Sequence, residues 1–240
     1  MKSLSKKLAS LIIVLLLAAG VFLYLNFGDL AKRAAEKIAT NALGVNVSIS
    51  SLNVSLKEKK AVLRGLSIAN PPGYRKSHII TADRLNIGLN TASRELIDFK
   101  DVSVDGVVVN LEVNEKGTNL SDLKKLARQK KQKESVGSKQ VRLIVRQMVI
   151  NTSTLNPSVT LLGRDIASVE IPAIRLSGLG TDSGKGAVAQ DVISQVVIQY
   201  LSAAERQARQ SDMLSIGDGV IDDVKDTLDG AAKKIEGLFN

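Results

Sequence analysis

Residues 52–113 read LNVSLKEKKAVLRGLSIANPPGYRKSHIITADRLNIGLNTASRELIDFKDVSVDGVVVNLEV, and this stretch decides the fold. Leu85, Ile87 and Leu89 alternate with Asn86, Gly88 and Asn90. Further on, Val107, Val109, Leu111 and Val113 alternate with Val108, Asn110 and Glu112. A period of two puts one apolar row on one side of a strand and polar groups on the other. Between the strands, Asn70-Pro71-Pro72-Gly73-Tyr74 cannot stay in a ladder, because each proline lacks an N–H and restricts the residue before it. The stretch therefore predicts half-buried strands broken by a stiff turn.

Apolar parity changes at Asp105-Gly106, from Val102 and Val104 to Val107 and Val109. A hairpin turn and a bulge inside one long strand both fit, and the bulge needs no further assumption. A similar phase shift falls near Ser50-Ser51, within a strand predicted over 45–56. Other strands are predicted over 61–69, 79–89, 99–113, 141–150 and 159–176. Upstream, Leu30, Ala34, Ala35, Ile38, Ala42 and Leu43 recur at helical spacing, with Gly44 placed to end the helix. Downstream, Val188, Val192, Val196, Tyr200 and Ala204 form a second helical stripe, expected to cap an open end of the sheet. Leu120, Leu123, Leu126 and Ala127 begin a helix that fades into a Lys/Gln-rich run.

The order of these pieces resembles the N-terminal module of the AsmA-like family. The resemblance rests on RGLSIANPPGY (64–74), TADRLNIGLN (81–90) and KDVSVDGVVVNLEV (100–113). It implies an α+β protein in which a transmembrane helix precedes a curved antiparallel sheet with a groove and flanking helices. It further implies a single-pass protein of the bacterial inner membrane, with a periplasmic domain that serves lipid transport or outer-membrane biogenesis. The rival expectation is a structural or regulatory envelope module that binds protein.

Leu8–Phe27 holds no charged residue and follows Lys2, Lys6 and Lys7. About 20 residues at roughly 1.5 Å each span the hydrocarbon core of a bilayer. A secretory signal peptide is the alternative, with Ala18-Ala19-Gly20 as a cleavage site, but the apolar run continues past it through Leu25. The expected organisation is a cytoplasmic N-terminus and anchor (1–28), an exported domain (29–210) containing a basic linker (124–140), and an amphipathic tail (211–240).

The net charge of +9 is local. Lys2, Lys6, Lys7 and the run Lys124, Lys125, Arg128, Lys130, Lys131, Lys133 and Lys139 carry the surplus, and the rest of the chain balances. No aromatic residue interleaves with these charges, which argues against nucleic acid. Lys124, Lys125, Lys130, Lys131 and Lys133 are instead candidates for contact with anionic lipid headgroups.

The chain has one histidine and no cysteine, so neither thiolate chemistry nor a His-rich metal cluster is expected. Gly180–Gly186 lacks the spacing and the Ser/Thr of a phosphate loop. No catalytic residue, metal or cofactor is expected, nor an enzyme. Membrane lipids are the expected partners, with Leu85, Ile87, Leu89, Val107, Val109 and Leu111 lining the groove on one concave face.

Overall fold

The computed structural model describes residues 28–55, 57–93, 95–114, 117–133, 141–159, 164–165, 167–181 and 184–211. Helix α1 covers residues 28–43 and ends at Gly44, whose φ of 73° lets its N–H reach the Thr40 carbonyl at 2.9 Å. The strands are β1 (Val47–Ser55), β2 (Lys60–Ala69), β3 (His78–Ala92), β4 (Leu96–Asp105) and β5 (Val108–Asn114). The two-residue β6 (Gly117–Thr118) leads into α2 (Asn119–Lys133). There follow β7 (Arg142–Ile150), β8 (Ser153–Val159), β9 (Arg164–Asp165), β10 (Val169–Ile171), β11 (Ile174–Leu179), β12 (Ala187–Val188) and α3 (Ala189–Gln210).

The twelve segments belong to one sheet. Six are halves of longer strands. β4 and β5 both pair antiparallel with β3, and Arg84↔Asp105 and Thr81↔Val108 are pairs that one uninterrupted strand would make. The same continuity joins β7 to β8, through Val104↔Ile150 and Val108↔Thr154. It also joins β11 to β10, through Ile174↔Ile150 and Ile171↔Ser153. Asp105-Gly106 is thus a break within one long strand and not a hairpin.

These breaks line up. Ser50, Gly65, Asp83 and Gly106 occupy neighbouring positions on successive strands, and the row continues through Thr152 to Pro172. At Gly65 and Gly106 the backbone is left-handed, with φ of 63° and 65°. A Cβ on Gly106 would run into the Asp83 carboxylate, and one on Gly65 into the Ser50 hydroxyl. This crease shifts apolar parity by one in every long strand it crosses, as a bulge does locally. Val102 and Val104 below it and Val107 and Val109 above it consequently join one buried cluster.

The sheet is mixed, which corrects the all-antiparallel expectation: β4 with β7 and β5 with β8 are parallel pairs. The physical reason is the connection. Parallel neighbours require a crossover that returns the chain to the starting end, and the segment containing α2 supplies it. α3 packs against β7, β10, β11, β12 and α2, and its Ser194 Oγ donates to the Ala42 carbonyl of α1 at 3.0 Å. Leu120, Leu123, Ala127, Leu201 and Ala204 are fully buried where the two helices meet the sheet. Each buried leucine contributes about 1.5–3 kcal/mol.

Among the described residues, no helix is long and apolar enough to cross a membrane. The apolar run Leu8–Phe27 and residues 212–240 of the tail lie outside them.

Candidate functional site

The crease divides the apolar face into a sealed half and an open half. In the sealed half, Ile68, Ile80, Val109 and Leu155 form a row across adjacent strands at 4%, 5%, 0% and 0% exposure. In the open half, the register aligns Leu63 with Leu85 and Val104, and Ala61 with Ile87 and Val102. Of these, Ala61, Leu63, Val102 and Val104 are buried. Leu52, Val54, Leu85, Ile87, Leu89 and Met148 are only half-buried.

The six groove candidates therefore fall into two groups. Leu85, Ile87 and Leu89 lie on the open strip, and Leu89 faces Phe99 across an irregular register. Val107, Val109 and Leu111 lie in the sealed half, at 4%, 0% and 1% exposure. They are core side chains with no free surface to offer a ligand. An unbroken alternation would have kept all six on one accessible face, and the crease separates them.

One border of the face is closed by α1, which runs along the edge strand β1. The Val47 N–H donates to Thr40 Oγ1 at 3.0 Å, and the Ile49 N–H donates to Glu36 Oε1 at 2.8 Å. The spacing is matched: four helical residues rise about 6 Å, and two strand residues about 6.6 Å. Helix side chains thus satisfy outward donors that would otherwise template pairing with another chain. At its start α1 comes so close that a Cβ on Gly28 would press on the Leu52 carbonyl oxygen, at 2.8 Å.

Two of the basic candidates are engaged in ion pairs. Lys124 is mostly buried and donates to Glu205 Oε2 of α3 at 2.5 Å, an ion pair that joins α2 to α3. Lys125 is exposed and pairs with Asp122 at 3.3 Å. The side chains of Lys130, Lys131 and Lys133 lie outside the described residues.

A buried polar knot, absent from the sequence reading, fixes the Pro-Pro-Gly-Tyr turn. Glu112 is 1% exposed. Its Oε1 accepts from the Lys76 N–H and Asn70 Nδ2 at 2.9 and 2.8 Å, and its Oε2 accepts from the Arg75 N–H at 2.9 Å. Asn119 Nδ2 donates to Asn70 Oδ1 and to the Asn110 carbonyl, while Asn119 Oδ1 accepts from the Glu112 N–H. Tyr74 donates to Asp122 at 2.8 Å, and burial with that carboxylate pushes its phenol well above the usual range. Across the crease, Asp98 binds Arg146 through two hydrogen bonds of 3.1 and 2.7 Å and holds the guanidinium still more firmly protonated.

Tyr200 of α3 is 4% exposed, and burial pushes its phenol up to about 12, with Ser153 pulling the other way. The folded value exceeds the unfolded one of about 10. Its contribution to stability is thus full below pH 10 and is lost as pH rises through 12. Denaturant melts followed by circular dichroism should show stability falling across that window. Tyr200→Phe should remove part of the fall, leaving Tyr74 to supply the rest.

Among the described residues, no cluster of His, Cys, Asp or Glu is arranged to hold a metal. No protein-family model matches the chain, and neither a curated protein nor a solved structure matches it.

Proposed function

We propose that the chain is a membrane-tethered envelope module whose open apolar strip receives lipid acyl chains, in the service of lipid handling or outer-membrane biogenesis. The observation that carries this reading is the set of half-buried side chains Leu52, Leu85, Ile87, Leu89 and Met148 in the open half, of which Leu85, Ile87 and Met148 pack against the core. An apolar sheet face is stable when a second layer or a ligand covers it. Each methylene placed on it contributes about 0.8 kcal/mol, so an acyl chain has the driving force to occupy the strip. The start of α1 against Leu52 adds support, because the apolar run Leu8–Phe27 immediately precedes Gly28 in the sequence. The resemblance to AsmA-like modules points the same way.

The test is mass spectrometry of residues 29–240 prepared without detergent. Phospholipid in stoichiometric amount is expected, and a lipid-free, well-folded preparation would sink the reading in favour of a protein-binding module.

A further inference from the structure

We infer that the β1–β2 turn and the start of α1 form a seat on an anionic lipid surface. Lys57, Lys59 and Lys60 are all exposed at this turn, with Glu58 the one acid among them. The turn is held in shape. Lys59 has a φ of 51°, the one positive value outside glycine among the described residues. Its carbonyl accepts from the Leu89 N–H at 2.8 Å, and the Glu58 N–H donates to Ser55 Oγ at 3.3 Å. The three ammonium groups are therefore presented from a fixed loop tied to β3.

A second, independent feature lies near the same end. Leu30, on the first turn of α1, is 51% exposed and is the one large hydrophobic so exposed among the described residues. Gly28, two residues earlier, abuts Leu52 in the half of β1 that leads to that turn. Arg33 and Lys37 are exposed on the same stretch of helix, with Asp29 beside Leu30, while Lys32 is half-buried and pairs with Glu36 at 3.8 Å. Exposed apolar and cationic side chains together suit the boundary between headgroups and acyl chains. A nucleic-acid surface would instead call for aromatic platforms, and no aromatic residue interleaves with the charges of 57–60 or of 30–37.

The inference deepens the tethering reading by naming which surface faces the bilayer. It also relocates the headgroup contact from the α2 lysines to the hairpin. The seat would hold the open strip against the membrane from which lipid enters.

The chain has no cysteine, so one introduced thiol carries a label cleanly. The full chain is reconstituted into vesicles of phosphatidylcholine, with or without phosphatidylglycerol, carrying a nitroxide on a fraction of the headgroups. A fluorophore on Glu58→Cys is compared with one on Pro72→Cys, at the opposite end of the sheet. Position 58 should be quenched in anionic vesicles and position 72 should not. Changing Lys57, Lys59 and Lys60 to Gln should weaken the contact roughly fivefold for each lysine removed. Raising salt to about 0.5 M should relieve the quenching without any mutation.

If the protein resists alkaline wash yet positions 58 and 72 are quenched alike, the seat is refuted and the tether stands. If the protein does not embed but floats with anionic vesicles in a lysine-dependent way, the tether falls and the seat stands. If it neither embeds nor floats, both fall.

Discussion

Replacing Val109 with Asp should abolish folding, whereas the same change at Ile87 should leave the sheet intact. Val109 is 0% exposed and pairs with Ile80 on one side and Leu155 on the other, within the sealed half. An isolated carboxylate there costs several kcal/mol. That is comparable with the whole stability of a domain, about 5–15 kcal/mol. Ile87 is half-buried on the open strip, where water can reach an introduced charge. Thermal melts of the two variants should differ widely, Val109→Asp showing no cooperative transition and Ile87→Asp melting within a few degrees of the parent. Equal loss of folding in both would mean that the open strip is a closed core after all.

Glu112→Ala should cost at least about 3 kcal/mol. It would leave the Arg75 and Lys76 N–H groups and Asn70 Nδ2 without their acceptor, each worth about 1–3 kcal/mol when stranded. Glu112→Gln should be nearly as harmful, although its shape is retained. Both carboxylate oxygens accept, so an amide NH2 in either place confronts a donor. The loss should be local first: amide exchange at Arg75 and Lys76 should accelerate before the β3–β5 ladder opens. Unchanged exchange at those amides in Glu112→Gln would contradict the knot.

What the sequence made legible is the pleat and its interruptions. Parity changes at Ser50-Ser51 and Asp105-Gly106 mark two points of the crease, because a side-chain period of two records any extra residue. Pairing partners left no such mark. Alternation describes a strand by itself, and the parallel β4–β7 and β5–β8 neighbours depend on a crossover that only the folded chain displays. The six groove candidates illustrate the same limit. Each lies on an apolar row as expected, but whether helices cover that row is decided by α2 and α3. Glu112 sits at a polar position of its strand and resembles a solvated residue until the 70–77 turn folds over it. Lys124 looks like one of a run of free charges, and its partner Glu205 lies 81 residues away.

The central claim is that the open strip meets lipid, and photo-crosslinking from the strip tests it most directly. A diazirine amino acid is placed at position 87 of the full chain, and a second at position 103. Ser103 faces the opposite side of the sheet, since it pairs with Asn86 while Ile87 pairs with Val102. After irradiation in membranes, phospholipid adducts should form at position 87 and be absent at position 103. Equal lipid adducts at both positions, or protein adducts alone at position 87, would contradict the account.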